Sequence, residues 1–212
     1  MDAHFWHSKW EKNEIAFHEP DVNPVLVKYL PELSLKQGSR IFIPLCGKTL
    51  DIAWLLSQGY RIVGAELSER AIKQLFHGLH LKPAVSVLGD IHHYCAKDID
   101  IFVGNIFHVS KDMLGEVNAV YDRAALVALP EDMRPIYTAH IRMITQQAPQ
   151  LLISYVYDQS IMPGPPFSVD EKEISRHYSG HYKIKRLDSF EISGGLKGQC
   201  PASEHVWRLT NI

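Results

Sequence analysis

The stretch of residues 40–66 constrains the fold more than any other part of the chain. An apolar run at residues 41–43 ends in a tight turn at residues 44–47, a helical pattern follows, and a second apolar run closes on Glu66. This order predicts two parallel strands joined through a helix, because parallel neighbours need a right-handed crossover connection. The turn and Glu66 are therefore expected at the same edge of a sheet.

The spacing between the turn and Glu66 indicates a class of ligand. Glu66 lies about twenty residues beyond the turn, where nucleotide-binding α/β folds place an acid that accepts hydrogen bonds from ribose hydroxyls. The turn has one glycine, Gly47, instead of the G-x-G-x-x-G that lets backbone approach a pyrophosphate. An acid without a diphosphate cradle favours a nucleoside-type cofactor, above all S-adenosylmethionine. The alternative is that Glu66 simply ends a buried strand in solvent.

Length and charge bound the class of protein. A chain of 212 residues is long enough for one three-layer domain, which we expect to span residues 1–212. The formal net charge of −2 disfavours nucleic acid as a partner, since phosphate binding needs a basic patch. No apolar run approaches the roughly 18 residues that span a bilayer, and the N-terminus lacks a signal-peptide pattern. We therefore expect a cytoplasmic protein without a membrane partner.

Cysteine and histidine spacing bears on metal binding. Cys46, Cys95 and Cys200 lack the CxxC spacing of zinc sites, and their odd number does not suit a disulfide framework. Among twelve histidines only His92 and His93 are adjacent, and neighbours in a strand point to opposite faces. We therefore predict no metal site.

The rest of the chain alternates between helix and strand patterns. Helices are expected after Ser68, which reads as an N-cap, and over residues 131–148, with Ile136, Ile141 and Ile144 facing the core. Residues 83–96 alternate in character and predict a hairpin added to the sheet. Further strands are expected at residues 100–104, 119–121, 150–158, 182–190 and 204–209. The order predicts an α/β fold with a doubly wound, mostly parallel seven-stranded sheet and helices on both faces.

Aromatic side chains are concentrated near the N-terminus. Phe5, Trp6 and Trp10 recur at helical spacing within residues 2–12, which predicts a short amphipathic helix. Such a stripe is more often core than cofactor site. A sulfonium cofactor offers a second use, because a cation is attracted to the face of a tryptophan ring.

Several strand ends of the predicted sheet carry polar or charged residues. Ligands of doubly wound sheets bind in the crevice beyond the carboxyl ends of the strands. The ends expected there are residues 45–47, Glu66, Asn105 with Ile106, Asp122 with Arg123, and the loop after Asp158. Each has an alternative explanation: Asn105 suits a turn, and Arg123 suits an ion pair with Asp122 or Glu66. Their common edge is what favours a binding site.

Five motifs, taken together, resemble those of one enzyme family. In chain order they are residues 16–18 (AFH), 42–48 (FIPLCGK), 63–68 (VGAELS), 122–128 (DRAALVA) and 164–167 (GPPF). The set resembles the thiopurine S-methyltransferases, which are class I S-adenosylmethionine-dependent enzymes, and the match covers nearly the whole chain. The resemblance implies the class I methyltransferase fold with an N-terminal helical lid. It also implies S-adenosylmethionine as cofactor and S-adenosylhomocysteine as product.

The resemblance further implies roles for individual residues. The cofactor-binding set that it implies is Trp10, Leu45, Gly47, Glu66, Asn105, Ile106 and Arg123. Within it, Trp10 folds over the cofactor with Trp6 nearby, and Glu66 holds the ribose hydroxyls. The implied walls of the methyl-acceptor pocket are Phe17, Pro165, Pro166 and Phe167, with Arg123 on the same side.

One departure from the family concerns the acceptor. Animal members carry an arginine in the loop before the last strand, where residues 192–198 of this chain offer only Lys197. Recognition of purines is therefore open, and a smaller or different acceptor is an alternative.

The implied reaction is methylation of sulfur. The acceptors are thiopurines or other aromatic or heterocyclic thiols, and also selenium or tellurium compounds, in a detoxifying role. The expected partner is a small-molecule thiol, selenol or other chalcogen acceptor, and we expect a monomer. Two alternatives stay open: a non-catalytic adenosine-binding module, and an NAD-dependent oxidoreductase, which the missing phosphate loop disfavours.

Overall fold

One mixed sheet of nine strands organises the residues that the structure, a computed structural model, describes, namely 3–15 and 18–212. The strands are β1 (Arg40–Pro44), β2 (Arg61–Glu66), β3 (Ala84–Leu88), β4 (Ile91–Ala96), β5 (Ile99–Val103), β6 (Ala119–Arg123), β7 (Gln150–Tyr157), β8 (Tyr182–Glu191) and β9 (Ala202–Asn211). Their spatial order is β3-β4-β5-β2-β1-β6-β7-β9-β8. The chain thus winds outward from β1 in both directions, which confirms the doubly wound α/β class.

The strand directions explain how the sheet differs from the predicted one. The five central strands pair in parallel, and antiparallel pairs flank them on both sides. The predicted hairpin is added to the sheet, because β3 pairs with β4 and β4 pairs with β5 from His92 to Ala96. Its two strands bring the sheet of the described residues from the predicted seven strands to nine.

Helices cover both faces of the sheet. They are α1 (Ala3–Glu11), α2 (Pro24–Tyr29), α3 (Asp51–Ser57), α4 (Glu69–Gly78), α5 (Lys111–Leu114), α6 (Arg134–Ile144) and α7 (Glu171–Tyr178). Asn23, Ser68 and Asp170 each accept a backbone N–H in the first turn of the helix that follows, so the predicted cap at Ser68 is confirmed. In the part of the chain that the structure describes, none of the helices is long and apolar enough to cross a membrane.

Strand β1 divides the apolar interior into two layers. Ile41 and Ile43 pack on the side of α2, α3 and α4, whereas Phe42 packs on the side of α6 and α7. Successive side chains of a strand point to opposite faces, and both faces of this strand are covered. A continuous apolar run is therefore what its position requires.

Helix α6 corrects one predicted core residue. Ile141 and Ile144 are buried as predicted, but Ile136 is 61% exposed. Tyr137 takes the inward position instead and is fully buried, because residues 137, 141 and 144 share one helix face.

Candidate cofactor and acceptor site

Three neighbouring strands end at the same level of the sheet. Pro44 of β1 pairs with Ala65 of β2, and Phe42 of β1 pairs with Val120 of β6. Continuing these registers places Leu45 level with both Glu66 and Arg123. The predicted site residues of these three strands therefore share the carboxyl edge.

Glu66 joins the two turns that follow β1 and β2. Its Oε2 accepts the backbone N–H of Gly47 at 2.8 Å, and its Oε1 accepts that of Ser68 at 2.8 Å. The side chain is buried rather than ending in solvent. Burial raises the pKa of Glu66, and the hydrogen bonds from the amides of Ser68, Gly47 and Leu67 oppose this rise. The carboxylate is thus a structural link as well as a candidate ligand.

The turn after β1 has an unusual backbone that Trp10 covers. Leu45 and Gly47 both have positive φ angles, +47° and +53°. A leucine in this left-handed region costs of order 1 kcal/mol or more, so the surrounding contacts impose the turn. A Cβ atom on Gly47 would lie 3.2 Å from Cζ2 of Trp10, whose side chain is almost fully buried. The N-terminal helix therefore reaches the predicted cofactor turn.

The donors and acceptors at these turns fit a nucleoside cofactor. A carboxylate has about four lone-pair sites, and the backbone amides of Gly47, Ser68 and Leu67 leave about one of those on Glu66, to which a ribose hydroxyl can still donate. A cavity of about 820 Å³ lies next to the two turns and is bordered by Lys48, which follows Gly47, and by Glu69, which follows Ser68. The rest of its lining comes mainly from α3 and α4, and none of the predicted cofactor-binding residues borders it.

Asn105 and Ile106 follow β5, the strand beyond β2. The exposed Asn105 accepts the backbone N–H of Phe107 at 3.1 Å through Oδ1 and caps a short 3₁₀ turn, Ile106–His108. Ile106 is buried, and its carbonyl accepts from Nε2 of His140 at 2.9 Å. Asn105 is thus a turn residue, as the alternative explanation had it. Its contact with adenine stays a prediction.

At the end of β6, Asp122 and Arg123 have different partners. The buried Asp122 accepts the hydroxyl of Tyr137 at 2.7 Å and the backbone N–H of Leu126 at 3.1 Å. Arg123 donates through Nη2 to the carboxylate of Glu19. The alternative that Arg123 pairs with Asp122 or Glu66 is therefore not what the structure shows.

The charge of Arg123 persists although its side chain is only 11% exposed. Burial disfavours the charged guanidinium, but Tyr155, Glu19 and other nearby groups outweigh it, and the pKa of Arg123 lies above its usual value. The site therefore holds a permanent cation beside the turn of Leu45. A buried guanidinium of this kind suits the recognition of an anion.

Asp122 gives the protein a testable pH dependence. Burial raises the pKa of Asp122 from 3.8 to about 6, so the folded protein holds this proton between pH 4 and pH 6 while the unfolded chain has lost it. The stability contribution of this group therefore falls as pH rises through that window. Asp122→Asn keeps an oxygen acceptor but does not titrate. We expect its free energy of unfolding, relative to that of the wild type, to rise by up to about 3 kcal/mol from pH 4 to pH 6.

Denaturant unfolding of both proteins across this pH range measures the gain. Asp112→Asn, at an exposed position in α5, serves as the matched control and should show no such trend. A difference between Asp122→Asn and wild type that stays constant with pH would contradict the raised pKa.

The loop after β7 carries the predicted acceptor walls. The hydroxyl of Tyr157 donates to the carbonyl of Pro166 at 2.6 Å, and Nζ of Lys197 donates to that of Pro165 at 2.7 Å. The backbone N–H of Phe167 donates to the carbonyl of Val127 at 2.6 Å. This bond links the loop to residues 122–128, the motif that contains Arg123. Phe17, the remaining predicted wall, lies outside the described residues.

Arg134 supports both segments, and sequence reasoning missed it. Its Nε donates to the carbonyl of Leu129 at 2.8 Å, and its Nη1 donates to that of Ser168 at 3.4 Å and to both carboxylate oxygens of Glu173 at 2.8 Å. The guanidinium also lies over the ring of Phe167, 5.4 Å from its centroid. The local pattern gives no signal for this role, since a charged residue at the start of an amphipathic helix is normally exposed.

A second polar cluster lies at the amino end of β5, away from the site. Ligand atoms of His93, Cys95 and Asp100 lie within 4.8 Å of one another. Asp100 accepts from Nη2 of Arg40 at 2.9 Å, and its other oxygen lies 2.9 Å from Nε2 of His93. Hydrogen bonds within the protein account for this cluster, because the guanidinium already balances the charge of Asp100.

Comparison with known proteins decides the family. The family model described as "Thiopurine S-methyltransferase (TPMT)" matches residues 1–210. The chain belongs to the thiopurine S-methyltransferase family. A relative of that name from Xanthobacter autotrophicus is 49% identical over 210 residues, which cover 99% of this chain and 99% of the relative. A second, from Gluconobacter oxydans, is 47% identical over 211 residues, with 100% of this chain and 96% of the relative covered.

Solved structures agree on the fold. The 1,6-didemethyltoxoflavin-N1-methyltransferase of Burkholderia thailandensis, solved with 1,6-didemethyltoxoflavin and S-adenosylhomocysteine, superposes with a TM-score of 0.67. It is 15% identical, with 99% of this chain and 87% of that chain covered. An S-adenosylmethionine-dependent methyltransferase from Anabaena variabilis gives a TM-score of 0.64 at 13% identity, with 99% and 95% covered. At this identity the likeness shows the class I methyltransferase fold alone.

Membership of the family confirms two predictions made from the motifs. The protein is an S-adenosylmethionine-dependent methyltransferase, and S-adenosylmethionine is its methyl donor. The oxidoreductase alternative is thereby set aside. The family leaves the acceptor and the roles of individual site residues to be argued from the geometry.

Proposed function

We propose that this enzyme methylates the sulfur of small aromatic or heterocyclic thiols, thiopurines among them. The observation that supports this proposal most is the buried, charged guanidinium of Arg123, level with Leu45 at the carboxyl edge. A permanent cation at that place attracts a thiolate. The names of the relatives support the same acceptor class. The proposal extends to selenium and tellurium compounds and to a role in detoxification.

The proposal includes the domain organisation, location and oligomeric state of the enzyme. Residues 1–212 form one domain, which acts in the cytoplasm as a monomer on a small-molecule acceptor. The net charge of −2 supports the absence of a nucleic-acid partner. No membrane partner is part of the proposal.

The residues of the site perform binding and alignment rather than proton transfer. S-adenosylmethionine, when bound, would supply an electrophilic methyl carbon: an S–CH₃ bond to the acceptor forms in line as the sulfonium C–S bond breaks, and the electron pair of that bond leaves with S-adenosylhomocysteine. Glu66 accepts from a ribose hydroxyl, and Trp10 covers the turn and excludes water. Alignment of this kind can supply about 7–11 kcal/mol of barrier lowering. An aromatic thiol whose pKa lies below about 7, well under the roughly 8.5 of free cysteine, is largely ionised near neutral pH, so no dedicated general base is required.

Transfer of labelled methyl from S-adenosylmethionine tests the acceptor class. The acceptors to compare are aromatic thiols, thiopurines, selenite and tellurite. We expect label on the aromatic thiols, and we expect Arg123→Ala to lower kcat/KM for an anionic thiol about 10- to 100-fold, the effect of losing one bond to a charged group. Arg61→Ala serves as control, because Arg61 is exposed at the opposite end of β2.

Two results would count against this proposal. Tight binding of S-adenosylmethionine with no label on any thiol would contradict the proposal that the acceptors are thiols. Unchanged turnover of the anionic thiol in Arg123→Ala, with loss of turnover for a neutral acceptor, would contradict the role assigned to Arg123.

A further inference from the structure

The ion pair between Arg123 and Glu19 is asymmetric. Glu19 belongs to the segment between α1 and α2, and its carboxylate accepts from Nη2 of Arg123. The arginine side chain is 11% exposed, whereas that of Glu19 is 43% exposed. The arginine is fixed at a strand end, and the glutamate reaches it from the solvent side. Glu19 is therefore the partner that an incoming anion can displace.

A second carboxylate lies near the same guanidinium. Glu204 of β9 stands directly opposite Tyr155 of β7 in the antiparallel ladder and shares a side-chain hydrogen bond with it. Burial raises the pKa of Glu204, and Arg123 opposes this rise. Negative groups thus surround Arg123 on two sides, from the N-terminal segment and from β9. An anionic acceptor that binds the guanidinium of Arg123 therefore approaches the acidic side chains of Glu19 and Glu204.

Basic groups also lie near Arg123. Burial lowers the pKa of His18, and the positive charges of Lys48 and Arg123 lower it further. Lys48 is itself bound, since its Nζ donates to Oε1 of Gln74 at 2.9 Å. Glu19 is the carboxylate to which the guanidinium of Arg123 donates, so an anionic acceptor competes with it directly.

We propose that Glu19 is a specificity-determining residue for the methyl acceptor. Its carboxylate competes with anionic groups of the acceptor for Arg123, so it disfavours acceptors that carry a second negative group besides the thiolate more strongly than acceptors that carry the thiolate alone. The proposal rests on the proposed function, in which Arg123 faces the acceptor. It deepens that function by naming the charge of the preferred acceptor.

A matched pair of acceptors isolates the charge. 4-Mercaptobenzoate and its methyl ester share the ring and the thiol but differ by one carboxylate. In Glu19→Gln we expect the ratio of kcat/KM for the acid to that for the ester to rise about tenfold over wild type, the effect of one hydrogen bond to a charged group. Glu19→Asp should return the ratio toward the wild-type value. Glu14→Gln, which removes an exposed carboxylate paired with Lys9 in the same part of the chain, should leave it unchanged.

A binding measurement separates this proposal from the proposed function. Calorimetric titration of 4-mercaptobenzoate into protein saturated with S-adenosylhomocysteine needs no turnover. We expect its Kd to fall in Glu19→Gln by about tenfold more than that of the ester, whose only negative group is the thiolate. Equal changes for acid and ester, or no change for either, would overturn the role of Glu19. Failure of the wild type to methylate any thiol would overturn the proposed function. The titration would still show whether Glu19 competes with the carboxylate of the ligand for Arg123.

Discussion

Replacing Glu66 by glutamine should weaken the binding of S-adenosylmethionine about 100-fold. Both carboxylate oxygens accept backbone N–H groups, from Gly47 and from Ser68. In glutamine one oxygen becomes an NH₂ group, which faces an N–H donor and separates the two turns. The variant also loses the charge that strengthens the bond from a ribose hydroxyl, and such a bond, at up to about 3 kcal/mol, corresponds to roughly two orders of magnitude in Kd.

Calorimetric titration with S-adenosylmethionine and with S-adenosylhomocysteine measures this loss. Glu191→Gln is the matched control, since Glu191 also ends a strand but is exposed. Near-wild-type affinity of Glu66→Gln for both ligands would show that the carboxylate holds only the turns. The assignment of Glu66 to the ribose would then be wrong.

Replacing Arg134 by methionine should destabilise the fold by about 3–5 kcal/mol, because the variant leaves the carboxylate of Glu173 buried without its guanidinium. The side chains of Arg134 and Glu173 are 4% and 11% exposed, and two bonds of 2.8 Å join them. For a protein of this size, such a loss lowers Tm by about 10 °C. The change also frees two carbonyls: that of Leu129, which follows residues 122–128, and that of Ser168, which follows residues 164–167.

Thermal and denaturant unfolding measure the effect. Arg176→Met is the control: this arginine is 60% exposed and lies 3.8 Å from the same Glu173, so its loss should cost less than about 1 kcal/mol. Adding Glu173→Gln to Arg134→Met should recover part of the stability, since it removes a buried charge that has lost its guanidinium at 2.8 Å and keeps His177 at 3.1 Å and Arg176 at 3.8 Å. Equal effects of Arg134→Met and Arg176→Met would contradict the importance of the buried pair.

The parts of the fold that sequence predicted correctly depend on local signals. The crossover of residues 40–66 follows from two apolar runs and one amphipathic helix, and a serine before an acidic first turn marks the start of α4. The meeting of Glu66 with Gly47 follows from the same unit, because it brings the ends of neighbouring parallel strands together. The periodic pattern wrongly placed Ile136 in the core. Several neighbouring residues of α6 are apolar, and only the tertiary packing determines that Tyr137 and not Ile136 faces inward.

The contacts that complete the site are distant in sequence, and local patterns carry no signal for them. Trp10 against Gly47 and Glu19 against Arg123 depend on where the N-terminal segment crosses the sheet. The burial of Arg134 was missed because composition places arginine at the surface. The hairpin at residues 83–96 was predicted correctly from its alternating pattern, and the count of seven strands was too low because it left those two strands out.

The position of β9 between β7 and β8 bears on how the protein is made. During synthesis β7 emerges first, then β8, and the strand that must separate them only later. Until then β7 presents an open edge of unpaired amides and carbonyls, of the kind that recruits other chains. We expect nascent or truncated chains that stop before Ala202 to depend on chaperones and to aggregate. We therefore expect residues 202–211, which supply none of the predicted site residues, to affect the yield of folded enzyme.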